Sequence, residues 1–279
     1  MYREAVKIAA SGLMVSCLMF GACTDSGSKA ADDLLEQVNE AVENGNSTLA
    51  LTLLDSLQRT YPEKIDQQRE GMKLRPRAME IAIMAQIQTV DSALAAYADT
   101  HQSLGAKMKT ISNPDLVEPY MTPAEGYNPN FINSTGVQPR VDKVGQFYLV
   151  SSLTPGGVNH VSLTFIAGGD ELTTESVPYD GDLNYRMNGS EVVTFMPAKC
   201  DTVGQFMVEH RNAPVTVRFN GENGKSRQIK LTQAQAGAMA DAYLYSQAAL
   251  QGRELSVQRE KLDRQLQVAR DQSARLADE

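Results

Sequence analysis

The sequence of 279 residues contains no tryptophan, and it has only three cysteines and three histidines. Without tryptophan, a sugar-stacking surface would have to use tyrosine or phenylalanine. Cys17 and Cys23 lie at the N-terminus, which leaves Cys200 alone and excludes a disulfide framework in the rest of the chain. The histidines are scattered, without the spacing of a zinc site, at His101, His160 and His210.

Two further absences argue against whole classes of function. The net charge is −8, so the chain lacks the excess of cations with which proteins neutralise phosphates, and we expect no nucleic-acid partner. No serine lies in a Gly-x-Ser-x-Gly elbow, and no glycine-rich loop opens a helix to hold a phosphate. A Cys200–His210 pair would need hydrogen-bond reach and an orienting group, which the sequence does not indicate. The sequence predicts no catalytic site and no cofactor, although two carboxylic acids, as in a glycosidase, can lie anywhere in a chain.

The N-terminus has the pattern of an export signal. Arg3 and Lys7 form a short positive region, and the segment 8–22 is apolar or small without charge. A membrane-spanning helix needs about 20 such residues, so this run of about fifteen fits the apolar region of a secretory signal instead.

The signal ends in Gly21-Ala22-Cys23, which resembles the lipobox of bacterial lipoproteins. The resemblance implies that residues 1–22 are removed and that a lipid on Cys23 anchors the chain to a membrane. Thr24, rather than aspartate, follows the cysteine, and in this family that implies the outer membrane. Residues 23–31 are small and polar, which predicts a flexible tether.

Residues 32–62 have the pattern of a helical hairpin. Two apolar helical faces flank Asn44-Gly45-Asn46, where glycine can end a helix, and Pro62 ends the second helix. The second helix resembles that of a tetratricopeptide repeat at Ala50, Leu54, Leu57 and Pro62, although Val38 stands where that family has a small residue. No further copy follows, so the favoured interpretation is a plain hairpin packed on the next helix.

Residues 63–112 carry the clearest periodicity in the chain. Apolar residues alternate at spacings of four and three, which predicts one long helix with a coiled-coil seam. Gly71 and Pro76 predict a kink near residues 71–76. His101 lies on the seam, where we interpret it as a polar residue that fixes the register. The seam consists of Ile83, Ile87, Val90, Leu94, Tyr97, His101, Leu104, Met108 and Ile111.

The periodicity then changes. Residues 113–143 contain prolines and glycines among polar residues and are predicted to form a loop. Residues 144–231 alternate with period two between turn residues, which predicts an antiparallel β-sandwich or barrel. The predicted strands are Gln146–Ser152, His160–Ile166, Leu172–Val177, Val192–Met196, Gln205–Glu209, Val215–Phe219 and Arg227–Leu231.

Residues 232–279 predict a final coiled-coil helix that begins at a capping Thr232. Its seam is Leu255, Leu262, Leu266, Ala269, Ser273 and Leu276. The similar lengths of this helix and of 63–112 favour an antiparallel pair, and a homo-oligomeric coiled coil is the alternative. One register places Leu104 against Tyr243, Tyr97 against Leu250, Val90 against Val257, Met79 against Val268 and His101 against Ser246.

One segment carries the spacing of an ion-binding loop. Five oxygen-bearing residues within 180–191 resemble the ligand positions of an EF-hand calcium loop. Tyr185 replaces the glycine of that loop, Arg186 is a cation inside it, and the flanks are predicted strands rather than helices, so a solvated hairpin loop is the favoured interpretation. The candidate ligands are Asp180, Asp182, Asn184, Asn188 and Glu191.

Together these patterns predict an α+β protein. An N-terminal helical hairpin precedes a long antiparallel helix pair, and the β domain is inserted between the two long helices. The favoured function is that of a non-enzymatic envelope lipoprotein, a scaffold or adaptor for an envelope protein partner. The alternative is a β domain that binds glycan, peptide or calcium, and exposed Tyr127, Tyr179 and Tyr185 on one rim would favour glycan. An enzyme of unknown class is the third hypothesis.

Overall fold

A computed structural model describes residues 24–112 and 118–277. The signal segment and Cys23 lie outside the described residues. The described chain is α+β, with five α-helices and two antiparallel sheets of six and four strands. Its contacts divide it into two compact units. Unit 1 contains the described residues up to 84 together with 265–277, and unit 2 contains the described residues from 85 to 264.

Unit 1 begins with a helical hairpin, as the sequence predicts. Helix α1 (Thr24–Glu43) and helix α2 (Ser47–Thr60) are joined by a turn in which Gly45 has a φ of 72°. The Asn46 side chain caps α2 by accepting from the backbone N–H of Leu49 at 3.1 Å. Ala50, Leu54 and Leu57 are buried. The hairpin is therefore confirmed, whereas its kinship with tetratricopeptide repeats stays a prediction.

The predicted tether is wrong in its described part. Residues 24–31 are the first turns of α1 rather than an extended linker. Ala31 is fully buried, and Lys64 donates a hydrogen bond of 3.0 Å to the Ser28 hydroxyl. Small polar residues are compatible with either state, and packing decides in favour of the helix.

Two long helices contribute to both units. Helix α3 (Ile65–Gly105) includes Pro76 without a break, and helix α5 (Gln233–Ala277) follows the reciprocal cap of Thr232 and Gln235, with bonds of 2.9 and 3.1 Å. The sequence places the end of α3 too late, at residue 112. None of the described helices is long and apolar enough to cross a membrane.

Helices α3 and α5 lie side by side within unit 2. The ring of His101 stacks on that of Tyr245 with centroids 4.3 Å apart, and Arg259 forms an ion pair of 2.7 Å with Asp91. His101 therefore lies one residue away from its predicted neighbour. The proposed pairing through Val257 is wrong, because that side chain is 61% exposed. Seam positions Val90, Leu104 and Leu262 are buried, as their periodicity predicts.

Unit 2 carries ten strands in two sheets. The larger sheet has the order β1-β2-β3-β4-β8-β7 and the smaller has the order β10-β9-β5-β6. The strands are β1 (Met108–Ile111), β2 (Tyr120–Pro123), β3 (Gly136–Val141), β4 (Phe147–Leu153), β5 (His160–Ala167), β6 (Asp170–Thr173), β7 (Asn184–Met187), β8 (Ser190–Phe195), β9 (Val215–Gly221) and β10 (Ser226–Leu231). Short 3-10 helices lie at Phe131–Asn133 and Pro197–Lys199.

Both sheets share one hydrophobic core with two helices. Leu149 and Phe195 of the larger sheet and Phe165 and Phe219 of the smaller are fully buried in it. Helix α4 (Asp201–Glu209) and the first turns of α5 complete this core. No described strand closes the sheets into a barrel.

Two predictions for this region are wrong. Gln205–Glu209 belongs to α4 and not to a strand, because Val203, Phe206 and Met207 have helical spacing and pack into the core. The predicted loop 113–143 contains β2 and β3, so the β region begins at Met108 rather than at residue 144.

Candidate functional site

Three polar side chains form a hydrogen-bonded chain between the two sheets. Ser151 of β4, His160 of β5 and Glu191 of β8 meet in the core. The Ser151 hydroxyl lies 2.8 Å from Nε2 of His160, and Nδ1 of His160 lies 2.9 Å from Oε2 of Glu191. The order of groups is that of a nucleophile, a base and an orienting acid.

The Glu191 carboxylate also fills a ring of backbone donors. Its Oε1 accepts from the N–H groups of Gly157, Val158 and Asn159 at 2.5–2.9 Å, and its Oε2 accepts from the N–H of His160 at 2.8 Å. Gly157 and Asn159 have φ values of 110° and 58°, which turn successive N–H groups toward one point. Such a concavity binds anions, and here the anion is the chain's own carboxylate.

These contacts set the protonation of the network. Hydrogen bonds from Asn159 and His160 outweigh burial, which alone would raise the pKa, and bring the pKa of Glu191 down to about 2. Burial lowers the pKa of His160 despite the adjacent carboxylate, so its ring is neutral. The carboxylate can only accept, so Nδ1 of His160 carries the proton and Nε2 accepts from the Ser151 hydroxyl.

Burial decides what this network can do. Ser151 and His160 have no exposed surface and Glu191 is 2% exposed. A hydroxyl nucleophile in this position does not meet a substrate, so we interpret the network as a clamp between β5 of one sheet and β4 and β8 of the other. The sequence pattern does not reveal it, because the three residues come together only through strand pairing and the turn at 157–159.

The calcium candidates do not form a single loop. Asn184 and Glu191 lie on β7 and β8, joined by a turn at Asn188, while Asp180 accepts from the N–H groups of Asp182 and Asn184 at 2.9 Å each. Both Glu191 oxygens already accept hydrogen bonds. Oδ1 of Asn184 is buried without a partner among the described residues. That this segment is a solvated loop rather than an ion site stays a prediction.

Residues 24–112 and 118–277 contain no other candidate for a metal site. No group of three or more His, Cys, Asp and Glu side chains there is placed to hold an ion.

Cys200 and His210 lie at opposite ends of α4. The thiol of Cys200 donates to the carbonyl of Phe195 at 3.2 Å, and burial raises its pKa to about 12. His210 lies 3.3 Å from the Asp170 carboxylate and packs on Phe206. Each group has its own partners, so the structure gives no thiolate–imidazole pair.

The three tyrosines named as a glycan rim have separate neighbours. Lys109 lies 4.5 Å from the ring centre of Tyr127, and Arg186 lies 4.4 Å from that of Tyr179. Tyr185 packs in a small cluster beside Phe131. A cation therefore covers one face of Tyr127 and of Tyr179, where a sugar would stack.

An open groove of about 210 Å³ lies elsewhere in unit 2. Its walls come from the first half of β3 and the last half of β10, with the loop around Tyr127 and helix α5 completing it. Thr122, Tyr127, Phe131, Val137, Ile229 and Met239 are among its lining residues.

Comparison of the chain with protein-family models, with characterised protein sequences and with solved structures finds no match.

Proposed function

We propose that the protein is a non-enzymatic scaffold or adaptor lipoprotein of a bacterial envelope, anchored through lipid on Cys23. The observation that carries the proposal is the contact of α3 with α5, where His101 stacks on Tyr245 and Asp91 pairs with Arg259. At about 1.5 Å per residue, helices of 41 and 45 residues reach about 60 Å or more. An exposed helix pair of this kind offers a docking surface to a partner protein.

The buried network supports the non-enzymatic part of the proposal. Ser151, His160 and Glu191 have the order of groups found in serine hydrolases. Their lack of exposure and the saturation of Glu191 by five N–H groups fit a structural clamp.

The rival proposal is a serine hydrolase in which Ser151 becomes accessible. A fluorophosphonate probe, which reacts with activated serine hydroxyls, separates the two. We expect no labelling of the folded full chain, as for the Ser151→Ala variant. Labelling of the wild-type chain that is lost in Ser151→Ala would replace the scaffold proposal with an enzyme.

The anchor is tested by expressing the chain in a lipoprotein-processing bacterium. The wild-type protein should enter the detergent phase and carry lipid on Cys23, whereas Cys23→Ala should remain in the aqueous phase. Recovery of wild-type protein with an unmodified Cys23 at its N-terminus would contradict the anchor.

The adaptor role is tested on intact cells with a photo-crosslinking amino acid at Val257, an exposed position of α5. We expect a defined crosslinked product with one envelope protein, absent when the same amino acid replaces exposed Glu222 in the β9–β10 turn. A product that contains two copies of this chain would favour a homo-oligomeric coiled coil, and no product at Val257 would argue against the helices as the docking surface.

A further inference from the structure

The groove in unit 2 lies beside a free strand edge. Strand β10 is the last strand of the four-stranded sheet, and β9 is its one partner among the described residues. Ile229, Lys230 and Leu231 of this strand line the groove. A free edge presents unpaired backbone donors and acceptors, which can pair with another extended chain.

The hairpin register identifies the free groups of β10. The Gly221 N–H donates to the Lys225 carbonyl at 2.9 Å, and Arg227 is opposite Phe219. Hydrogen-bonded and non-hydrogen-bonded residue pairs alternate along an antiparallel ladder. Arg227 and Ile229 are therefore in hydrogen-bonded pairs and direct their backbone groups to β9. The residues between them direct their N–H and C=O groups to the free edge, and these are Ser226, Gln228 and Lys230.

The opposite wall of the groove has an open edge too. The Pro139 carbonyl of β3 accepts from the Thr122 hydroxyl at 2.8 Å, so it points to the β2 side. Val137, two residues earlier, directs its backbone groups to the same side. Among the described residues, β2 pairs with β3 only through Met121 and Val141. Val137 therefore has no strand partner on that side.

The charges along β10 indicate which kind of segment would bind there. Lys225 and Lys230 are exposed, and the Arg227 guanidinium donates to the Pro155 carbonyl at 2.8 Å. None of these three forms an ion pair with a described carboxylate, although the whole chain has a net charge of −8. Glu222 is the one acidic residue in the same turn, and Glu125 is the one acidic residue that lines the groove. Two copies of β10 would bring cations together without a counter-charge, whereas an acidic strand would complement them.

We propose that the groove between β10 and Val137 binds an extended acidic segment of a partner protein, which adds to β10 as a fifth strand of its sheet. Alternate side chains of that segment would face Ile229 and the groove, and the others would face Lys230. The proposal does not depend on the lipid anchor or on the contact of His101 with Tyr245.

The test uses the full chain and a synthetic peptide of about eight alternating valine and aspartate residues, a typical strand length. Calorimetry should detect binding that weakens as salt is raised. Gln228→Pro removes a free-edge N–H without touching the β9 ladder, and it should weaken binding about tenfold. Lys230→Glu at an exposed site should weaken it to a similar degree.

The matched control is Glu171→Pro on β6, the opposite edge of the same sheet. The Thr174 N–H donates to the Leu163 carbonyl, so the alternation directs the Glu171 N–H outward as well. This variant should bind the peptide as the wild-type chain does. The proposal is overturned if the peptide does not bind, if Gln228→Pro binds as tightly as wild type, or if a valine–lysine peptide binds equally well. Melting curves of each variant establish that it is folded.

Discussion

Tyr243 of α5 packs directly on the backbone of Gly204 in α4. A β-carbon on Gly204 would lie 2.0 Å from Cδ2 and 2.4 Å from Cγ of the tyrosine ring. The tyrosine hydroxyl donates to Asp201 at 2.7 Å, which fixes the ring from its other end. The approach of the two helices therefore depends on a glycine at position 204.

Gly204→Ala is expected to lower the free energy of unfolding by about 1–3 kcal/mol, because the ring is held and the helices have to separate. The measurement is urea denaturation. Gly237→Ala on α5 is the matched control, since a β-carbon there meets nothing within 4 Å. That substitution should be neutral or stabilise by up to about 1 kcal/mol. Equal stability of both variants would contradict the close packing.

The Glu191 clamp predicts a loss of stability in acid. The folded protein holds the pKa of Glu191 at about 2 against an ordinary value of 4.5, so this stabilisation is complete above pH 4.5 and is lost as the pH falls toward 2. At about 1.4 kcal/mol per pKa unit it amounts to about 3 kcal/mol. The lowered pKa of His160 adds a loss that begins as the pH falls below 6.5.

Unfolding free energies measured from pH 7 to pH 3 test this prediction. Glu191→Gln should be less stable at pH 7 and should lose less on acidification, because its amide does not titrate and places an N–H among donors. Glu222→Gln, a change at an exposed site, should follow the wild-type curve. A Glu191→Gln curve parallel to that of the wild type would show that the carboxylate does not carry the pH dependence.

Cys200 should be inert in the folded protein. Its thiol is fully buried with a pKa of about 12, so almost no thiolate forms at neutral pH. In a chain with Cys17→Ala and Cys23→Ala, iodoacetamide should label Cys200 only when urea unfolds the protein. An added Ser256→Cys on the exposed side of α5 should be labelled at once. Rapid labelling of Cys200 without urea would mean that the β core opens readily.

Calcium should leave the melting temperature of the full chain unchanged. Both oxygens of Glu191 are occupied, and Asp180 accepts two backbone N–H groups. An ion present at 100 times its Kd would stabilise the fold by about 2.7 kcal/mol, which calorimetry detects easily. A calcium-dependent rise that disappears in Asp180→Ala would establish an ion site around the buried Asn184.

The helices could be predicted from the sequence because their apolar positions repeat over many turns. The seam positions Leu262, Leu266 and Ala269 are buried, and Thr232 caps α5 as expected. The pairing register was less secure, since apolar residues such as Val257 match several registers equally well. Propensity also could not show that the turns from Thr24 onward are helical, because packing decides this.

The strands were harder to predict where prolines and polar residues interrupt them. Pro139 lies within β3, where the edge toward β2 does not require its N–H. The apolar run of α4 is too short for its periodicity to distinguish a helix from a strand. The clamp was hidden for another reason: Ser151, His160 and Glu191 are distant in sequence, and only the cross-sheet approach joins them.

At the base of unit 2, Gly105 ends α3 against Tyr245, and a β-carbon there would lie 3.3 Å from Cε2 of the ring. The polypeptide from 106 to 244 thus leaves α3 and rejoins α5 at neighbouring points. The last part of this stretch, residues 233–244, is at the same time the start of α5 and part of the core between the sheets. The first turns of α5 thus belong to the β domain as well as to the helix pair, so neither can be exchanged without the other.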